Sequence, residues 1–101
     1  MNEHEIQTYM MNLLKLEKVL AFRINQGRRG HIRMTSREGL SDLIGITPKG
    51  KFFAVECKAY KGKLSEAQTE FMDDIVKNNG LAFVVYDIGE CGQVAQILKQ
   101  S

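Results

Sequence analysis

Asp42, Glu56 and Lys58 are the residues whose types and spacing could assemble into a reactive site. Glu56 and Lys58 lie in the run 51–58, Lys-Phe-Phe-Ala-Val-Glu-Cys-Lys, whose aromatic and β-branched content predicts a strand. Side chains alternate across a strand, so Glu56 and Lys58 share a face with Phe52 and Ala54, while Phe53, Val55 and Cys57 take the other. The run 42–47 predicts a second, antiparallel strand, joined to the first by Pro48-Lys49-Gly50. With three residues in the turn, Thr47 faces Lys51 and Asp42 stands opposite Glu56. The two carboxylates then have Cβ atoms roughly 5 Å apart, which is destabilising unless positive charge lies between them. A divalent cation meets that need, and oxygen-only donors favour Mg²⁺ or Mn²⁺ over zinc. Lys58, on the same face, has the chemistry to orient or help activate an attacking water and to stabilise charge developing on phosphorus. The competing reading of Glu-x-Lys is an exposed ion pair, and a one-residue slip in register would turn Asp42 to the opposite face.

Two further polar residues stand near these in the predicted elements. Ile6, Met10, Leu13 and Leu14 recur at helical spacing, predicting a helix over 3–18 with Asn2 as N-cap. Glu3 falls on their stripe, where a carboxylate is costly unless paired or bound to a cation, although at a helix start it also complements the dipole. Glu5 instead shares its side of the helix with Tyr9, Asn12 and Leu16. Gln68 stands three residues after Ser65, the spacing of a capping box that by itself accounts for a glutamine there.

Charge is distributed unevenly along the chain. The 101 residues carry a formal net charge of +2. Residues 15–63 hold twelve bases against four acids, and all five arginines (Arg23, Arg28, Arg29, Arg33, Arg37) fall in one acid-free stretch. Such a block is the electrostatic footprint of a phosphate-binding surface, or else a solvated loop kept soluble by charge. Cys57 and Cys91 lack the spacing of a zinc ribbon, so two reduced thiols are expected. No apolar run is long enough to cross a bilayer and the N-terminus has no basic-then-apolar leader, so no membrane association and a cytoplasmic location are expected.

The size predicts one domain over 1–101 with a single core. After the first helix come a strand at 19–24, a long basic loop at 26–38, and the hairpin. A helix then runs from Ser65 to about Asn78, stopped by Asn79-Gly80. The continuous apolar run 81–86 predicts a strand buried on both faces, and a short final helix is expected from Gln93. The order αβββαβα is of the α/β (α+β) class, with a mixed central sheet flanked by helices.

Four strings, Glu3-His4-Glu5-Ile6-Gln7, Gly39-Leu40-Ser41-Asp42-Leu43-Ile44-Gly45, Phe53-Ala54-Val55-Glu56-Cys57-Lys58 and Gly62-Lys63-Leu64-Ser65-Glu66-Ala67-Gln68, together resemble the VRR-NUC branch of the PD-(D/E)xK nuclease superfamily. The resemblance covers nearly the whole chain and implies a restriction-endonuclease-like core. It further implies a metal-dependent deoxyribonuclease in which Asp42 and Glu56 bind metal, Lys58 serves the nucleophile, Gln68 supports the site and Glu3, with nearby Glu5 as the alternative, is the first-helix acid. Ser41 stands where the superfamily name places proline, and Cys57 is the variable position. Members of this kind resemble stand-alone phage and bacterial enzymes of DNA replication, recombination or repair. The expectation is an endonuclease selective for branched or Holliday-junction-like DNA, acting as a homodimer because so small a chain cannot enclose such DNA alone. Arg23, Arg28, Arg29, Arg33 and Arg37 would grip phosphates, extended by Lys61 and Lys63. The alternative is a catalytically inactive nucleic-acid-binding module of the same fold.

Overall fold

The computed structural model describes residues 1–24 and 39–101. Arg28, Arg29, Arg33 and Arg37 of the expected phosphate-gripping segment lie outside the described residues. The chain runs α1 (Glu3–Leu16), β1 (Leu20–Arg23), β2 (Leu43–Ile46), β3 (Phe52–Cys57), α2 (Glu66–Lys77), β4 (Leu81–Val85) and α3 (Ile88–Gln100), the αβββαβα order expected.

Each helix begins where a side chain satisfies its free amides. Asn2 accepts from the Glu5 amide at 2.8 Å while the Glu5 carboxylate accepts from the Asn2 amide at 2.9 Å, a reciprocal capping box. Ser65 and Gln68 repeat that arrangement at α2. Helix α2 stops at Asn78, and Asn79 takes a left-handed backbone with φ 68°, which asparagine tolerates better than most residues. Helix α3 starts at Ile88 rather than Gln93. Asp87 caps it by accepting from the Glu90 amide at 2.8 Å, and the Glu90 carboxylate accepts from the Tyr86 amide at 2.7 Å. This capping outweighs the poor helix propensity of Gly89 and Gly92, which had hidden the first turn.

The four strands form one mixed sheet in the order β1-β2-β3-β4, antiparallel for the first two pairings and parallel for β3 with β4. At the hairpin, Thr47 donates its amide to the Lys51 carbonyl and Gly50 closes the turn with φ +89°. The three-residue turn therefore sets Leu43 opposite Val55 and Ile46 opposite Phe52, the register expected. Strand β4 is an edge strand, and four of its five residues are only half-buried, so its apolar run does not reflect burial on both faces.

Alternation divides the sheet cleanly. Leu43, Phe53, Val55, Cys57 and Val85 point to one face, where Ile6, Met10 and Leu14 of α1 and Cys91, Val94, Ala95 and Leu98 of α3 complete a single core. Helix α2 packs against β3 and β4 on the other face, with Met72 and Ile75 buried. That face holds Ala54 and Glu56, and further across it the cross-strand row Leu20, Ile46 and Phe52 is partly exposed. No helix among the described residues is long and apolar enough to cross a membrane.

Candidate functional site

Continuing the β2–β3 ladder one step beyond Leu43 and Val55 brings Asp42 opposite Glu56. Asp42 is fixed from two sides. Its backbone carbonyl accepts from the Ile24 amide at 2.8 Å, prolonging the β1 pairing, and its Oδ2 accepts from the Cys57 amide at 2.8 Å. The carboxylate is thus held over the end of β3 by a main-chain donor, a contact that leaves no trace in side-chain identity.

Glu56 is 2% exposed, and its Oε2 is buried without a hydrogen-bond partner. Its pKa is pushed up from 4.5 to about 9. Burial is the largest cause, followed by hydrogen bonding to Asp42 and by the Asp42 charge; the Lys58 ammonium opposes the shift and Glu3 adds to it. These interactions bring four expected residues, Glu3, Asp42, Glu56 and Lys58, into one electrostatic neighbourhood. A buried carboxylate facing a second carboxylate, with an orphaned oxygen, is an unfavourable arrangement in a bare protein. It suits a hard divalent cation, which prefers carboxylate oxygen and fills its other positions with water and phosphate oxygens. Among the described residues, no cluster of three or more His, Cys, Asp or Glu side chains could hold a metal ion. Asp42 and Glu56 therefore fit as a two-carboxylate donor pair rather than as a closed cage.

Lys58 follows β3 directly. Its amide donates to the Val85 carbonyl at 2.9 Å, carrying the parallel pairing one step past Cys57 and fixing the backbone from which its side chain departs. Glu3, placed by its spacing on the inward stripe of α1, is instead exposed, yet close enough for its charge to act on Glu56. Glu5 is committed to the α1 capping box, whereas the Glu3 charge acts on Glu56. Gln68 does not join the cluster through its side chain, whose Oε1 accepts from the Ser65 amide at 2.8 Å. Its backbone nonetheless lies against the segment leading into Asp42: a Cβ added to Gly39 would fall 2.3 Å from the Ala67 carbonyl carbon and 2.7 Å from the Gln68 nitrogen. Gly39 also has φ +78°, so glycine alone satisfies both the backbone conformation and this close approach.

Arg23 ends β1 beside Leu43, and its Nη2 donates to Thr8 Oγ1 of α1 at 2.9 Å. Its positive field reaches the Cys57 thiol, though burial and the nearby Asp42 charge hold that thiol far above its ordinary pKa. Burial likewise raises the Cys91 thiol to about 11. Both cysteines are free and buried. Lys61 lies in the loop after β3, its Nζ 5.5 Å from the centroid of the Tyr60 ring, and Lys63 is exposed in the same loop. The contributions of the Cys57 amide and of Gly39 were missed by side-chain reasoning, although the glycine before Ser41-Asp42 was the available signal for the second.

No curated protein and no solved structure matches this chain. The family model of the VRR-NUC domain, a nuclease domain that acts on DNA, matches residues 3–87, spanning α1 through β4 and the Asp42–Glu56 pair, and the chain belongs to that family.

Proposed function

We propose that this VRR-NUC domain is a Mg²⁺- or Mn²⁺-dependent DNA endonuclease that selects branched structures rather than base sequence. The observation that carries the reading is the pairing of buried Glu56, with its orphaned oxygen, against Asp42 at the β2–β3 end, with Lys58 immediately after β3. In this reading Asp42 and Glu56 hold the metal, and the Cys57 amide aims the Asp42 carboxylate. A divalent ion bound there supplies Lewis-acid polarisation of the scissile phosphate and a more acidic water.

Lys58 places its ammonium beside the attacked phosphorus and stabilises the charge that develops there. Glu3 holds the water side of the site from α1, and Gln68 supports it from the start of α2 through the backbone contact with Gly39. Arg23, Lys61 and Lys63, together with Arg28, Arg29, Arg33 and Arg37, contact phosphates, which positions DNA without reading its sequence. Selectivity for shape follows from contacts of that kind. The expected homodimer has two alternative candidate surfaces on opposite sides of the sheet, the exposed row Leu20, Ile46 and Phe52 or the α3 side with exposed Ile97. The single domain, the cytoplasmic setting in a bacterial or phage-infected cell, and a role in DNA repair or recombination belong to the same proposal.

Purified protein is to be given four-way junction, flap, single-stranded and linear duplex DNA with Mn²⁺ or Mg²⁺, and the products mapped. Junction or flap cleavage is expected, and Asp42→Ala is expected to abolish it while keeping the far-UV circular dichroism of the parent. Cleavage that persists in cleanly purified Asp42→Ala would overturn the assignment.

A further inference from the structure

We infer that Tyr60 is a stacking platform for an unpaired base next to the scissile phosphate, and so sets the preference of the site for DNA with unstacked nucleotides. The inference rests on the nuclease reading above and deepens it by assigning the feature that distinguishes branched from continuous duplex DNA.

The Tyr60 ring is 84% exposed, more than any other large hydrophobic side chain among the described residues. It is also held in a defined place. The Gly62 amide donates to the Ala59 carbonyl at 2.8 Å, and Lys61 takes a left-handed backbone with φ 64°, so residues 59–62 form a tight turn with Tyr60 at its outer corner. That turn folds back along the Lys58 stem: a Cβ on Gly62 would lie 3.2 Å from Lys58 Cβ and 3.4 Å from Lys58 Cδ. Tyr60 is two residues from Lys58, no more than about 7 Å along the backbone.

The surroundings match the task. Residues 58–63 contain Lys58, Lys61 and Lys63 and no acid, and the Lys61 ammonium lies over the ring at 5.5 Å. An exposed ring flanked by cations is the composition of surfaces that bind single strands, in which bases stack on aromatic faces while lysines follow the phosphates. Bases inside a continuous duplex already stack on one another and offer no free face. A base at a junction, flap or single-stranded segment does, so the ring contributes only to substrates of that kind.

The test uses the full chain, without metal for binding and with Mn²⁺ for cleavage. The binding probe is an oligonucleotide carrying 2-aminopurine at the unpaired position beside a junction, whose fluorescence is quenched by stacking on an aromatic ring. Wild type and Tyr60→Phe are expected to quench it, and Tyr60→Ala to lose the quenching. In cleavage, the ratio of rates on unpaired-base DNA to continuous duplex is expected to fall about 5- to 100-fold in Tyr60→Ala, the range for loss of one base stack, and to survive in Tyr60→Phe. Equal quenching and equal ratios in wild type and Tyr60→Ala would overturn the inference, as would a Tyr60→Phe variant as impaired as the alanine. Quenching is read without cleavage, so intact quenching in a protein that cuts nothing supports the platform while refuting the catalytic reading.

Discussion

Replacing Glu56 by glutamine should make the metal-free protein more stable and the nuclease inactive. The substitution keeps the side-chain shape, removes a group that the fold holds protonated while the unfolded chain ionises it, and gives Asp42 an amide to accept from. In the parent, Glu56 is buried with Oε2 unpartnered and a second carboxylate in front of it. Keeping that carboxyl protonated in the fold while the unfolded chain ionises it costs about 1.4 kcal/mol per pH unit above 4.5, on the order of 3 kcal/mol at neutral pH, and for a domain of this size each kcal/mol moves Tm by about 4–8 °C. Glu56→Gln should therefore raise Tm in EDTA by about 10–25 °C at neutral pH. The sign with pH follows from the raised pKa. Protonated Glu56 is accommodated fully below its ordinary 4.5, and its contribution is lost as pH climbs toward about 9, so the gap between parent and variant opens over that interval and closes near pH 4. Metal closes the gap: at a hundredfold excess over Kd, a bound ion stabilises the parent by about 2.7 kcal/mol, and the variant gains little. Differential scanning fluorimetry across pH, with EDTA and with Mg²⁺, measures all of this. A Glu56→Gln protein no more stable than the parent in EDTA, or one stabilised equally by Mg²⁺, would refute the reasoning.

Two further substitutions separate placement from chemistry. Gly39→Ala puts a Cβ 2.3 Å from the α2 backbone in a left-handed conformation; it should cost more than about 2 kcal/mol in urea unfolding and lower the cleavage rate, and a neutral result would remove the proposed link between Asp42 and α2. At the start of α1, Asn2→Ala should lose about 1 kcal/mol of stability through its cap while retaining activity, whereas Glu3→Ala should leave urea unfolding within about 0.5 kcal/mol and reduce cleavage. The opposite pattern would return the first-helix acid to a purely structural role.

The parts of this molecule that could be read from sequence are those set by short-range chemistry. Pro48-Lys49-Gly50 fixed the hairpin register because a three-residue turn closing on glycine leaves one alignment, and the facing of Asp42 and Glu56 followed from it. Capping at Asn2 and Ser65 was legible for the same reason. What escaped depended on distant backbone. The Cys57 amide that holds Asp42 is common to every residue type, and the contact of Gly39 with Ala67 joins segments nearly thirty positions apart. The start of α3 was hidden because capping by Asp87 overrides two glycines. The half-burial of β4 follows from its place at the sheet edge, which an apolar run alone does not encode.

Strand β3 is where the sheet changes from antiparallel to parallel, and this makes the two halves of the site depend on different parts of the fold. The acid pair belongs to a local hairpin, whose closure needs only a three-residue loop and carries little entropic penalty. The backbone of Lys58 is fastened by Val85, at the far end of the crossover through α2 and β4. Contacts of such long sequence separation carry a larger loop-closure cost than the hairpin does. The two carboxylates need only the hairpin to face each other, whereas the lysine backbone is fixed only where β4 is docked. Undocking of β4 alone would leave the acids paired and the lysine unaligned, a reversible loss of function without global unfolding.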